Sequence, residues 1–145
     1  DLILRAVRIK AAVVRRDPLE KGLRRILNFG HTFGHVLETY NRIPHGLAVA
    51  QGMVIAAEMS VWKGEMPHAE LRLMEVALEN AGMIGGYPLP PGVTGMIARD
   101  KKSESGSVNF VLLSSVGKAV TRKIPITDLQ AFVNYYTEKH SQSQH

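Results

Sequence analysis

Hydrophobic residues recur at 2, 3, 6, 9, 13 and 14 along Leu2–Arg16, close to helical spacing, and Asp17–Pro18 ends that run. A second helical stretch is expected from about Leu19 to Tyr40, followed by a loop at Asn41–Arg42–Ile43–Pro44, where Pro44 breaks the helix. Gly46–Lys63 is apolar on nearly every side, the signature of a helix buried all round. Gly64–Pro67 reads as a turn. Pro67–Ala81 is amphipathic, with Leu71, Met74, Leu78 and Ala81 on one face and Gly82 as its C-terminal stop. Three glycines and three prolines make Gly85–Gly92 a loop, and a short helical turn follows at Val93–Ala98. The period then changes from helical to alternating. Val108–Leu113 and Lys118–Ile124 flank Ser114–Gly117 as a hairpin, and Thr127 with Gln130 forms a capping box for a last helix to about Lys139. The tail Ser141–His145 is polar and expected to fray. No repeat or linker interrupts the chain. The reading is one mainly helical, multi-helical domain with one small hairpin over about 108–124.

Composition narrows the classes. A chain of 145 residues with 45% hydrophobic and 21% charged residues fits one globular domain. No apolar run reaches the ~18 residues needed to span a bilayer, so no membrane partner is expected. The start at Asp1 carries neither an initiator Met nor a signal-peptide pattern, which reads as a cut-down chain. Zero cysteines exclude disulfide and thiolate chemistry and suit a reducing cytoplasm. Residues 1–25 hold eight Lys/Arg against three Asp/Glu, and the rest hold ten of each, so the net charge of +5 sits in the first segment. Such a patch suits nucleic acid, acidic lipid or a small anion. Aromatic residues do not interleave with it, which argues against nucleic acid. A solvated helix face is the plain alternative.

Leu27–Glu38 is the informative stretch. His31 and His35 stand four apart, which on a helix stacks them within reach of one metal, and His45 follows just beyond Pro44. Gly30 and Gly34 cost such a helix about 1 kcal/mol each, so a packing helix or a ligand must approach the backbone there. Periodicity nominates His31, His35 and His45 in some combination with Glu38 or Glu58 and does not choose among them. His68, His140 and His145 fall in turns or the tail and read as bystanders.

The strings Gly22–Leu23–Arg24, Leu27–Asn28–Phe29–Gly30–His31–Thr32–Phe33–Gly34–His35, His45–Gly46 and Ala48–Val49–Ala50 resemble the dehydroquinate synthase family of sugar-phosphate cyclases. Asp100–Lys101–Lys102 and Phe110–Leu113 ahead of Val116–Gly117–Lys118 extend the resemblance over essentially the whole chain, in order. It implies a two-domain enzyme of which this chain is the C-terminal helical half, the NAD-binding N-terminal half being absent. The family converts a 3-deoxy-heptulosonate 7-phosphate to 3-dehydroquinate and phosphate in the shikimate pathway. The resemblance makes His31 and His45 zinc ligands, with a glutamate upstream of this chain as the third, and cobalt as an alternative metal. Lys10, Glu20, Arg24, Asn28, His35 and Lys101 match substrate-site positions: Lys10 and Arg24 toward the carboxylate, and Asn28, His35 and Lys101 toward the phosphate, where they take part in catalysis. Lys102 is expected to be a neighbour outside the site. Many family members carry Glu after the His-Gly pair, whereas this chain has Leu47, which cannot ligate. Any part that position plays in orienting His45 is then missing or filled elsewhere.

The resemblance further implies a homodimer when full-length, and the chain alone is expected to be inactive and to bind zinc weakly. Rival readings are a cyclase making a deoxyinosose or a valiolone, an alcohol dehydrogenase of the related fold, and a basic helical domain binding nucleic acid.

Overall fold

The computed structural model describes residues 1–101 and 104–142; Lys102 and His145, on which sequence expectations bear, lie outside them. Six helices and a hairpin make up the described residues: α1 (Leu2–Arg16), α2 (His31–Asn41), α3 (His45–Trp62), α4 (His68–Asn80), α5 (Val93–Asp100), β1 (Ser107–Ser115), β2 (Lys118–Pro125) and α6 (Ile126–Gln142). A 3-10 segment, Leu23–Asn28, precedes α2.

The expected helix over 19–40 is therefore broken. Gly30 adopts φ +82°, a left-handed conformation that starts α2 afresh at His31. Continuous helix does not pass through that residue, so the 3-10 segment before it and the histidine-bearing helix after it are separate elements.

Helix α3 is the centre of the molecule, as its all-round apolar pattern predicts. Ala48, Val54, Ile55, Ala57 and Met59 are among its buried residues. Helix α2 runs antiparallel along it at very close range. A Cβ on Gly34 would meet the Val49 Cα at 3.1 Å, and one on Gly52 would overlap the Gly30 carbonyl oxygen. A packing helix, then, explains the glycines threaded through the histidine motif. Phe33 of α2, fully buried, lies near Phe110 of β1 and Phe132 of α6, with centroids 5.6 and 6.1 Å away. Each such fully buried large side chain contributes about 2 to 3 kcal/mol.

The hairpin forms two residues longer than expected at its far end, with a Val116–Gly117 turn in which Gly117 takes φ +85°. Strand β1 lies on α3, where the Leu113 N–H donates to Ser60 Oγ at 3.0 Å. The capping box is a correction: Thr127 is the second residue inside α6, and Gln130 reaches forward to Asn134 instead. His140 belongs to this helix and is no bystander. It contacts Glu58, which is 2% exposed on α3 and also bonds Lys139 at 2.6 Å. A buried carboxylate needs such partners, and Glu58 is thereby occupied far from the other histidines. Beside it, burial and the Glu58 carboxylate push the Tyr136 phenol up to about 12.

Helix α1 forms as predicted, capped by the Asp1 carboxylate on the Ile3 N–H. Its apolar stripe is not packed. None of its residues is buried, and Leu2, Ile3 and Ile9 are 81, 75 and 63% exposed.

Replacing Gly52 by Ala tests the α2–α3 seam. Helix propensity favours Ala by about 1 kcal/mol, whereas overlap with a backbone carbonyl costs about 3 kcal/mol. Equilibrium urea unfolding should show a net loss of about 2 kcal/mol. Gly22→Ala, where the added Cβ meets nothing within 4 Å, should stay within about 0.5 kcal/mol.

Candidate active site

The loop between α1 and the 3-10 segment is built by Asp17. Its carboxylate accepts backbone N–H groups of Lys21 (2.9 Å), Gly22 (2.7 Å) and Arg24 (3.0 Å). These bonds hold the Asp17 carboxyl below its ordinary value. Glu20, inside the loop, sits at φ +55°, a conformation costing a non-glycine residue on the order of 1 kcal/mol. The surrounding bonds keep it there, and the Glu20 carboxylate accepts the Asn28 side-chain amide at 3.0 Å. Arg24 is steadied by its own donation to the Pro18 carbonyl at 3.0 Å. In the sequence Asp17 marks only the end of the first helical run; the three amides it gathers depend on the fold.

These side chains converge. A cavity of about 530 Å³ is lined by Lys10 and Ile9 of α1, Glu20, Arg24, Asn28 and His31. Five residues chosen from the sequence thus share one concavity. Two cations against one carboxylate, itself engaged with Asn28, make it a receptor for an anion. Across the Glu20–Asn28 pair lies a second cavity of about 470 Å³, which contains Lys101.

His35 is absent from the linings of both cavities. It lines a third hollow with Thr39, Tyr40, Arg42, Met96 and Asp100. Desolvation, then the nearby Lys101 and His31, depress its pKa, so the imidazole is neutral near pH 7. Lys101 itself is steadied by Asp100 at 3.6 Å.

The three histidines cluster. Ring centroids of His31 lie 5.6 Å from those of both His35 and His45, and His35 lies 6.3 Å from His45. Among the described residues no three His, Cys, Asp or Glu side chains form a group that could hold a metal ion by themselves. Two of the histidines have an acceptor at Nδ1. His45 Nδ1 contacts the Glu38 carboxylate at 2.9 Å, and His31 Nδ1 faces the Phe29 carbonyl at 3.3 Å. Both partners are acceptors, so they favour the tautomer with the proton on Nδ1, the one in which a neutral imidazole offers Nε2 to a metal. This donor set fits a divalent metal as an incomplete site. Glu38, one of the two carboxylates that periodicity offered, is engaged with His45 from α2.

Known proteins with this fold form a class. A 2-deoxy-scyllo-inosose synthase solved with carbaglucose-6-phosphate, NAD+ and Co2+ matches with a TM-score of 0.73 at 27% identity, over 86% of this chain and 37% of that one. The 2-epi-5-epi-valiolone synthase of Streptomyces hygroscopicus subsp. jinggangensis 5008, solved with NAD+ and Zn2+, shares the fold alone: TM-score 0.70, 22% identity, 93% of this chain and 39% of that one. The fold is that of the sugar-phosphate cyclases. More narrowly, the chain belongs to the 3-dehydroquinate synthase C-terminal family, which matches residues 1–103. Relatives named 3-dehydroquinate synthase include those of Corynebacterium jeikeium (strain K411), 38% identical over 133 residues, and Acidithiobacillus ferrooxidans (strain ATCC 53993 / BNL-5-31), 43% identical over 136. Those alignments cover 89 and 87% of this chain, which spans 36 and 37% of the relatives' lengths.

Asp17→Ala should free the loop. Native-state hydrogen exchange of the Lys21, Gly22 and Arg24 amides should accelerate by about ten-fold or more, with the α3 amides unchanged. Because the folded carboxyl titrates below its ordinary 3.8, its contribution is complete above about pH 4 and is lost as pH falls through the lower folded value. Protection factors of these amides should drop in that acidic range in the wild type.

Proposed function

We propose that this chain is the metal- and substrate-binding half of a 3-dehydroquinate synthase, a phosphate-eliminating lyase of aromatic amino-acid biosynthesis, working with a nucleotide-binding half that holds NAD. The observation that carries this reading is the cavity that gathers Lys10, Glu20, Arg24, Asn28 and His31. The exposed apolar stripe of α1 supports a second half packed beside it. Among the described residues no helix is long and apolar enough to cross a membrane. The reading carries with it a cytoplasmic location.

The chain's own residues then divide the work. Lys10 and Arg24 hold the carboxylate of 3-deoxy-D-arabino-heptulosonate 7-phosphate, the guanidinium by a fork and the ammonium as a point charge. Glu20, anchored in its strained loop, aims the Asn28 amide. Asn28 and Lys101 steady the phosphate, and neutral His35 lies near Lys101 to relay a proton as the phosphate leaves. His31 and His45 would hold a zinc or cobalt ion through Nε2. When bound, that metal supplies Lewis-acid polarisation of a substrate hydroxyl, and NAD supplies a reversible hydride acceptor.

The likeness to 2-deoxy-scyllo-inosose synthase favours one rival, a cyclase acting on a different phosphosugar. Arg24 beside Lys10 argues for a substrate bearing a carboxylate. Phosphate release distinguishes them, assayed with the chain joined to its nucleotide-binding half, NAD and zinc. Turnover is expected with the heptulosonate phosphate and not with glucose 6-phosphate or sedoheptulose 7-phosphate; turnover of either of the latter alone would reassign the substrate. In the same enzyme, His31→Ala and His45→Ala should each abolish zinc retention by metal analysis. Stoichiometric zinc in both variants would remove the ligand assignment.

A further inference from the structure

The second cavity contains a cation that the scheme above does not use. Arg25 follows Arg24 on the 3-10 segment, and this tight backbone turns its side chain to the other side of the Glu20–Asn28 pair. Arg25 and Lys101 both line that cavity, together with Asn28, Thr32 and Asn109. Glu20 is the single carboxylate in the lining, and its Oε1 is engaged with the Asn28 amide.

Arg25 is half-buried, and its Nε–H donates to the Glu20 backbone carbonyl at 3.4 Å. Among the described residues it makes no ion pair. Removing a guanidinium from water without an anionic partner is costly, and a terminal fork left without a carboxylate is suited to a planar or tetrahedral oxyanion. Thr32 Oγ, Asn109 and the Lys101 ammonium add donors around the same space. The apolar floor supplied by Phe110 and Val111 lowers the local dielectric and strengthens such contacts.

We propose that Arg25 is a phosphate-binding and specificity-determining residue: with Lys101 it holds a phosphate dianion in this second cavity, while Arg24 faces the first. This deepens the cyclase reading and rests on it for the claim that the dianion is the one carried by the substrate and released from it. The arrangement separates the carboxylate and phosphate ends of the substrate by side of the Glu20–Asn28 pair. Consecutive arginines are thereby given opposite duties, which explains how one short segment can serve both.

The test has two arms. In the first, the chain is titrated with inorganic phosphate at fixed ionic strength, followed by amide and side-chain NMR shifts of Arg25, Thr32 and Asn109. Arg25→Ala should weaken phosphate by about ten-fold, and Arg25→Lys, which keeps the charge but loses the fork, by a few-fold. Arg16→Ala, an exposed cation at the end of α1, should leave the affinity unchanged. Equal weakening by Arg25→Ala and Arg16→Ala, or phosphate shifts absent from Thr32 and Asn109, would overturn the proposal. Unchanged circular dichroism and urea midpoints certify that each variant is folded. The second arm uses the enzyme with its nucleotide-binding half: Arg25→Ala should raise KM for the phosphosugar and the inhibition constant for inorganic phosphate together, with a smaller effect on kcat. A KM that does not move there would also overturn it. Should the enzyme turn over none of the phosphosugars, the cyclase reading fails while the first arm still judges whether Arg25 binds phosphate.

Discussion

Helix α2 lies against α3 at a distance that only glycine permits, and the placement of the histidines depends on that contact. Gly34 rests on the backbone of α3, and Gly52 gives way to the Gly30 carbonyl. With any larger residue at these points the helices would separate, and the ring of His45 at the start of α3 would move away from Glu38 and His31. Glycine costs each helix stability. The seam recovers it through the burial of Phe33 and Leu37 against the core and through the all-round burial of α3. The break at Gly30 belongs to the same device. It ends the 3-10 segment and starts α2, so that Asn28 and His31 line one cavity from two different pieces of backbone.

A second constraint is local and polar. Asp17 ties three amides of a short loop, and through them a glutamate in an unfavourable backbone conformation. Strain of this kind persists only where surrounding bonds over-determine it. Here the result is a rigid carboxylate that fixes the Asn28 amide, which in turn forms the wall between two cationic cavities. The site is therefore preorganised from α1 to the 3-10 segment by hydrogen bonds and from α2 to α3 by steric fit. Neither support requires a bound ligand. The apolar stripe of α1 is left exposed on that scaffold.

Much of this was legible in the residues themselves. The boundaries of α1, α3 and α4, and the place of the hairpin, follow from periodicity, proline and glycine positions, because those signals act within a few residues. Lys10, Glu20, Arg24 and Asn28 were picked out by resemblance, and the fold brings them together with His31 around one cavity. The break at Gly30 was not legible, since glycine within an otherwise helical pattern is compatible with either a packed helix or a stop. The role of His140 was hidden for a similar reason: its partner Glu58 lies 82 residues away, and only the packing of α6 on α3 joins them.

By itself, then, the sequence determined a mainly helical domain, its family, its lack of thiol chemistry and the set of side chains available for an anion and a metal. These are properties of composition, short-range spacing and shared motif, and they do not need three-dimensional proximity to be read. The tertiary structure decided which of those side chains face one another. It put Arg24 and Arg25 in the linings of different cavities on either side of one hydrogen-bonded pair, joined Glu38 of α2 to His45, and set Asn28 and His35 in the linings of different hollows. Such choices depend on where helices approach and where a backbone turns, and the distances that settle them are a few ångströms between residues far apart in the chain.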